Sequence, residues 1–90
     1  MRLDKFLKVA QLAKRRSVAK DALDAGRIER GGRPLKASHH VKAGDELLIH
    51  YATRDLLVRV LDVPERPGAR VRPESLYAVL ADAPTEASRR

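Results

Sequence analysis

The sequence contains no cysteine and no tryptophan, and its only aromatic residues are Phe6, Tyr51 and Tyr77. Without cysteine, the chain forms neither a disulfide bond nor a zinc site with thiolate ligands. Three rings, one of them on an apolar helical stripe, are too few for the aromatic platform on which many proteins stack single-stranded bases. No apolar run approaches the ~18 residues of a membrane span, and the mixed segment 1–6 is not expected to be a secretory signal.

Positive charge is abundant and is concentrated in the first half of the chain. Residues 1–42 contain 12 basic and 4 acidic residues, a net charge of +8, whereas residues 43–90 contain 7 basic and 8 acidic residues, a net charge of −1. Charge of one sign on one part of a surface attracts a partner of the opposite sign, which favours nucleic acid. An anionic membrane surface is the weaker alternative, because the first amphipathic segment is short and poor in aromatic residues.

The apolar pattern predicts two short helices followed by a small sheet, and therefore an α+β fold in one domain. A first helical stripe consists of Leu3, Phe6, Leu7 and Ala10. The second helix is expected to begin at an N-cap residue, Ser17, and to end at a left-handed glycine, Gly26. The residues of this helix that are expected to face the core are Val18, Ala19, Ala22 and Leu23.

After Gly26 the pattern changes to that of strands. Segment 28–35 predicts a hairpin that turns at Gly31–Gly32, with Pro34 on an edge strand. A turn at 41–45 leads into a strand at 46–49. The strongest predicted strand spans 56–63, and apolar residues on both of its faces suggest packing between two layers. Residues 64–75 are predicted to form a loop and residues 76–80 a last strand, so that a single domain covers 1–80 and a flexible tail covers 81–90.

Basic residues of the first helix and of the following corner are the main candidates for ligand contact. Arg2, Lys5 and Lys8 lie opposite the apolar stripe, which is equally consistent with RNA contact and with a solvated helix face. The run of three cations at 14–16 is a stronger signal, because adjacent cations repel one another and oppose the dipole at a helix start, where phosphate is attracted. Asp4 is expected to pair with a nearby arginine or lysine and to orient it, rather than to bind a metal or catalyse a reaction.

Other polar residues give weaker signals. His39, His40 and His50 have no cysteine or carboxylate pattern beside them that completes a metal site, so neither metal nor cofactor is expected. His39 and His40 are expected at the surface near the basic face. No nucleophile–base pair or phosphate-binding glycine loop with lysine is present, which argues against an enzyme. Three arginines in the proline-rich loop serve either solubility or a second contact with RNA or protein: Arg66, Arg70 and Arg72.

Two short helices with a basic corner between them and a small sheet after them resemble the S4-like RNA-binding domain, whose core is called the alpha-L motif. The resemblance rests on five segments of the sequence, which are 2–7 (RLDKFL), 14–17 (KRRS), 24–28 (DAGRI), 32–38 (GRPLKAS) and 41–46 (VKAGDE). It implies two short N-terminal helices packed on a small twisted antiparallel or mixed β-sheet. Members of the family often carry asparagine where this chain has Gly31, but glycine adopts the same positive φ, so the turn is expected to survive.

Charge pattern and resemblance together select the candidate RNA-binding residues. They are Arg2, Lys5, Lys8, Lys14, Arg15, Arg16, Ser17, Lys20, Arg27, Lys36 and Ser38, with Asp4 as an orienting residue. The scarcity of rings favours contact with phosphate, 2′-hydroxyl groups and RNA shape over stacking.

By its length the chain is similar to the stand-alone members of the family, above all to the small bacterial factors of ribosome-associated quality control and also to the small heat-shock S4-like proteins. This resemblance implies a cytoplasmic monomer that binds ribosomal RNA and peptidyl-tRNA on an obstructed large ribosomal subunit. There it supports a partner factor that elongates the nascent chain without a template.

Three alternatives remain open at the level of the sequence. They are a general role in binding ribosomal RNA during ribosome assembly, a tRNA-binding module, and a DNA-binding regulator that uses the second helix for recognition. The last alternative is disfavoured by Asp21 and Asp24, because two acidic residues on that helix would meet the phosphates of the DNA.

Overall fold

The chain folds into two helices and one five-stranded sheet in a computed structural model that describes residues 1–65 and 71–84. The helices are α1 (Leu3–Val9) and α2 (Arg16–Asp24), and the strands are β1 (Ile28–Arg30), β2 (Arg33–Pro34), β3 (Glu46–His50), β4 (Arg54–Val60) and β5 (Tyr77–Pro84). The strand order is β2-β1-β3-β4-β5, and all the neighbouring pairs are antiparallel. The predicted α+β class is confirmed, and of the two predicted sheet types the antiparallel one is observed.

The hydrophobic core lies between the helices and one face of the sheet. The predicted stripe of α1 is confirmed, since Leu3, Phe6, Leu7 and Ala10 are all at most 1% exposed. The side chains opposite them come from alternate positions of two adjacent strands, which are Leu47 and Ile49 in β3 and Leu56, Val58 and Val60 in β4. Because successive side chains of a strand point to opposite faces, this alternation means that the helices cover a single face.

Residues 56–60 form a strand as predicted, but the expectations that this strand reaches residue 63 and packs between two layers are wrong. Strand β4 ends at Val60, and Leu61, the apolar residue that follows it, is 50% exposed. The outer face of the sheet carries cross-strand ion pairs instead of a second layer, as between Arg59 and Glu46, where Nη2 and Oε2 are 2.9 Å apart. Leu48 and Leu57 on this face are therefore only partly buried, because within residues 1–65 and 71–84 a helical layer covers just the opposite face of the sheet.

The start of α2 differs from the prediction. Arg15, with φ −139° and ψ 152°, is the N-cap residue, and Ser17 lies inside the first turn, so the assignment of Ser17 as N-cap is wrong. Ala19 and Leu23 are buried as predicted, but Val18 is 48% exposed and does not face the core. Only a narrow stripe of this nine-residue helix is covered by its neighbours, and Val18 lies about 100° around the helix from Ala19.

The two predicted glycine turns are confirmed. Gly26 has φ +73°, its N–H donates to the carbonyl of Leu23, and the Arg27 N–H donates to the carbonyl of Ala22, which together form a Schellman motif. In the hairpin, Gly31 (φ +59°) and Gly32 (φ +82°) make the turn. Pro34 lies on β2, the edge strand, as predicted.

The last strand is longer than predicted. Strand β5 continues from Tyr77 to Pro84 and pairs with β4 along its length, with an irregularity between Leu57 and Val58. Residues 81–84 therefore belong to the sheet and not to a tail; backbone pairing needs no apolar alternation, so no pattern in the sequence marked it. The rest of the predicted tail, and Arg66 and Arg70, lie outside the described residues, whereas Arg72 is exposed and precedes a short 3₁₀ turn at Pro73–Ser75. Within residues 1–65 and 71–84, no helix is long and apolar enough to cross a membrane.

Candidate nucleic-acid interface

The beginning of α1 is fixed in place by the segment that leads to β3. The Leu3 N–H donates to the carbonyl of His39 over 2.8 Å, and the Asp4 N–H donates to that of Ala37 over 3.3 Å. Arg2 forms an isolated antiparallel bridge with His40. Backbone hydrogen bonds to residues 37 and 39 therefore hold the first turn of α1 in place. The backbone positions from which the side chains of residues 2–5 extend are thereby fixed.

Asp4 accepts hydrogen bonds from two arginines and from the backbone. Its Oδ1 lies 2.9 Å from the Lys5 backbone nitrogen and 3.3 Å from Arg2 Nε, and its Oδ2 lies 3.2 Å from Arg16 Nε. The prediction that Asp4 pairs with a nearby basic residue is confirmed. Asp4 is only 3% exposed, which the helical pattern did not indicate, since it placed this residue on the flank of the basic face.

The charge state of Asp4 follows from these contacts. Burial alone raises the pKa of the Asp4 carboxyl, but the hydrogen bonds from Arg16 and Lys5 and the charges of Arg16 and Arg2 outweigh it and hold the pKa below its ordinary value. A buried carboxylate thus holds two guanidinium groups, whose side chains stay 46% and 50% exposed. We call Arg2 and Arg16 the arginine pair; it carries two positive charges for one negative charge, and Asp4 contacts Nε and Nη2 of both guanidinium groups.

Arg2 lines two surface grooves, and Arg16 lines one of them. The first, here called the Asp4 groove, contains the arginine pair and Lys5 and is completed by Met1 and residues 63–65. Arg2 also lines a second groove together with Lys36 and Ser38. The structure therefore groups Arg2 with four other predicted RNA-binding residues, although the five come from three separate segments of the sequence.

The other predicted residues do not join this group. All eleven candidates are exposed. Lys14 and Arg27 line a third groove, whose floor is largely apolar and which also includes Tyr51 and Arg54. Four candidates line none of these three grooves, and they are Lys8, Arg15, Ser17 and Lys20. The candidate interface thus consists of a preorganised centre around Asp4, which includes Arg16, and a separate basic corner formed by Lys14 and Arg15. The RNA contacts of each residue remain predictions.

His50 has a structural arrangement that the sequence did not indicate. Its Nδ1 lies 2.8 Å from Asp55 Oδ1, and its Nε2 makes a short contact with Glu29. The hydrogen bonds to Asp55 and then Glu29 raise the pKa of His50 above its ordinary value. These side chains belong to β1, β3 and β4, so the cluster connects three strands, and only the strand register reveals it.

The histidine cluster is not arranged as a metal site. Both ring nitrogens of His50 are engaged by carboxylates on opposite sides of the ring. Among the described residues, no group of three or more histidine, cysteine or acidic side chains is placed to hold a metal ion. His40 is exposed beside Arg2, as expected for a surface position near the basic face, whereas His39 is partly buried with Nε2 3.5 Å from Asp45 Oδ2.

Comparison with known proteins places this geometry in a family. The family model described as S4 domain matches residues 1–47. The chain belongs to the S4 domain family. That matched segment spans α1, α2 and the first hairpin and contains every candidate RNA-binding residue, from Arg2 to Ser38.

Several S4 domain relatives are similar to this chain over most of its length. A protein of Bacillus subtilis named RQC P-site tRNA stabilizing factor is 40% identical, over 91% of this chain and 94% of its own. A protein of Halalkalibacterium halodurans with the same name is 43% identical, over 98% and 99% of the two chains. A heat shock protein 15 homolog of Aeromonas salmonicida is 34% identical over 86% of this chain and 58% of its own length.

The fold is similar to that of a solved S4 domain relative. The trimeric structure of heat shock protein 15 from Vibrio cholerae superposes with a TM-score of 0.79 over 90% of this chain and 82% of that chain, at 23% identity. At that identity the likeness shows the fold alone, and it extends beyond the segment that the S4 domain family model matches. The strands β4 and β5 are therefore part of a shared architecture.

Proposed function

We propose that this S4 domain protein binds RNA on the large ribosomal subunit and stabilises peptidyl-tRNA in the P site during ribosome-associated quality control. The names of the curated relatives, which match nearly the whole chain, support the biological setting. The observation that carries the proposal at the level of the structure is the arginine pair on the buried Asp4 carboxylate. That arrangement is suited to a phosphate ligand, because each guanidinium group has five N–H donors and Asp4 uses only part of them.

The mechanism we propose is binding without catalysis. Asp4 limits the orientations of Arg2 and Arg16 before RNA arrives, so that binding costs less side-chain freedom. Lys5 extends the positive surface along the Asp4 groove, and Lys36 and Ser38 extend it on the other side of Arg2. A set of side chains of this kind recognises phosphates, 2′-hydroxyl groups and the shape of a folded RNA.

The setting and the assembly state also belong to the proposal. Bacterial ribosomes translate in the cytoplasm, and we place the protein there. We propose a monomer that contacts ribosomal RNA, peptidyl-tRNA and the factor that elongates the nascent chain, while the trimer of the Vibrio cholerae relative makes self-association the alternative. Sedimentation equilibrium at micromolar concentration distinguishes a monomer from a trimer.

The test is sedimentation with purified large ribosomal subunits, with and without bound peptidyl-tRNA, for wild type, Arg16→Ala and Arg59→Ala. Arg59 is a matched control, because its side chain is 50% exposed and pairs with a carboxylate, as that of Arg16 does, but it lies on the outer face of the sheet. We expect co-migration with the occupied subunit, its loss in Arg16→Ala, and unchanged circular dichroism. Equal loss in Arg59→Ala contradicts the assigned site.

The same sedimentation experiment, together with binding to free tRNA and competition by duplex DNA, separates the alternative functions. Equal binding to empty and occupied subunits supports a role in ribosome assembly, and binding to free tRNA alone supports a tRNA-binding module. Competition by duplex DNA as effective as that by RNA supports a DNA-binding regulator. With about five phosphate contacts, the slope of log affinity against log salt is expected to be roughly −3.5 to −4.5, and a flat dependence contradicts the electrostatic mechanism.

A further inference from the structure

Tyr51 makes a long-range hydrogen bond to the connection between the two helices. Its hydroxyl donates to the backbone carbonyl of Leu12 over 2.7 Å, and the two residues are 39 positions apart. The Leu12 side chain is buried in the core, at 8% exposure. The basic corner begins two residues after Leu12. The hydrogen bond therefore holds the backbone segment that leads directly to Lys14 and Arg15.

The connection between α1 and α2 contains a strained backbone conformation, which a hydrogen bond from outside the connection can stabilise. Gln11 has φ +57°, a left-handed conformation that residues with a β-carbon adopt at a cost. The next two N–H groups, those of Leu12 and Ala13, both donate to the carbonyl of Leu7, over 2.9 and 3.1 Å. A strained turn of this kind persists only where its surroundings hold it.

The sheet end that carries Tyr51 is itself well fixed. The Tyr51 N–H donates to the carbonyl of Arg54 over 2.8 Å, closing the turn between β3 and β4. The Arg54 guanidinium lies 5.5 Å from the centre of the Tyr51 ring, and its Nη1 is 3.3 Å from Asp82 Oδ2 on β5. The preceding residue, His50, is held between two carboxylates. Burial raises the pKa of the Tyr51 phenol although Arg54 lowers it, so the hydroxyl remains a donor at neutral pH.

We propose that Tyr51 is a positioning residue of the RNA interface, whose hydroxyl fixes the helix connection so that Lys14 and Arg15 are presented to RNA phosphates. This inference rests on the proposed function and adds a residue that lies outside the S4 domain match at residues 1–47. It also assigns a role to the third groove, where Lys14 and Tyr51 both lie. The sheet then acts on the interface through one hydrogen bond to the backbone.

The test compares Tyr51→Phe with Tyr77→Phe, the one other tyrosine of the chain. Phenylalanine keeps the ring and its packing and removes only the hydroxyl, so both variants are expected to fold. The probe is the purified large ribosomal subunit carrying peptidyl-tRNA, measured by filter binding across a salt series. For Tyr51→Phe we expect the dissociation constant to rise roughly fivefold, the factor that corresponds to one hydrogen bond. Tyr77→Phe is expected to bind like wild type.

Two further readouts separate positioning from a general loss of stability. The slope of log affinity against log salt should become shallower by about 0.7 to 0.9 for each phosphate that the variant no longer neutralises, which a partly unfolded protein does not produce. In addition, the Lys14→Ala/Arg15→Ala variant already lacks the positioned cations, so adding Tyr51→Phe to it should weaken binding no further.

Each opposite result overturns the inference. Wild-type affinity in Tyr51→Phe, an unchanged salt slope, or a full additional decrease on the Lys14→Ala/Arg15→Ala background shows that Tyr51 does not act through the basic corner. Failure of the proposed function looks different, because wild type itself then fails to bind the occupied subunit. If Arg16→Ala weakens binding and Tyr51→Phe does not, the proposed function stands and only this inference fails.

Discussion

Replacing Asp4 by asparagine separates two explanations of RNA binding that otherwise predict the same behaviour. Asparagine has nearly the same size as aspartate and keeps one oxygen acceptor, but it removes the negative charge. The net charge of the protein, +7 in the wild type, rises by one unit. If total charge alone governs binding, Asp4→Asn binds RNA more tightly. If the carboxylate orients the arginine pair, Asp4→Asn binds more weakly.

The expected cost to stability follows from the hydrogen bonds of Asp4. The carboxylate accepts hydrogen bonds from Arg2, Arg16 and the Lys5 backbone. The single amide oxygen of asparagine can keep one of these hydrogen bonds, and the others are lost. A hydrogen bond to a charged group contributes about 1.5–3 kcal/mol. Because both arginine side chains are about half exposed and regain water when released, we discount this to roughly 1–2 kcal/mol of unfolding free energy. For a domain of this size, the melting temperature is expected to fall by about 4–8 °C for each kcal/mol.

Asp4→Asn is expected to weaken RNA binding, whereas the increase in net positive charge by itself would strengthen it. Removal of one oriented, charge-assisted hydrogen bond to RNA, worth about 1.4 kcal/mol, corresponds to an affinity roughly tenfold lower. The assay is filter binding to occupied large subunits at fixed salt, below the melting temperature of the variant. Asp21→Asn is the matched control, because it makes the same change of charge at an exposed carboxylate on α2. If Asp4→Asn binds as tightly as Asp21→Asn, Asp4 does not orient the arginine pair for RNA.

Two further predictions concern stability. Because the folded pKa of His50 is raised, its stabilising contribution is complete below the ordinary pKa of 6.5 and disappears as the pH rises through the folded value. Urea unfolding at pH 6 to 9 should show this decrease in wild type and not in His50→Gln, and identical pH profiles contradict it. Gly26→Ala should lower the unfolding free energy by about 1 kcal/mol through its positive φ alone, since the added β-carbon would lie 4.0 Å from Pro34 Cβ, an ordinary van der Waals contact. An unchanged melting temperature contradicts that origin.

Local features of the fold were predictable from the sequence because they depend on neighbouring residues. The stripe from Leu3 to Ala10, the cap at Gly26 and the turn at Gly31–Gly32 each follow from side-chain spacing or from backbone conformation. Pro34 marked an edge strand because it lacks an N–H group. The asymmetry of charge and the S4 resemblance were also readable, and together they indicated the class of partner and the segment that would meet it.

The arrangement of the site was decided by tertiary structure. Asp4 and Arg16 are 12 positions apart, and their contact depends on how α1 and α2 pack against each other. The same packing leaves Val18 exposed, and no second helical layer from the described part of the chain covers the outer face of β4. Periodicity reports which side of an element a residue occupies, but not which other element covers that side, because that neighbour comes from a distant part of the chain. For this reason the sequence identified the cations, and only the folded chain showed which of them a buried carboxylate holds in place.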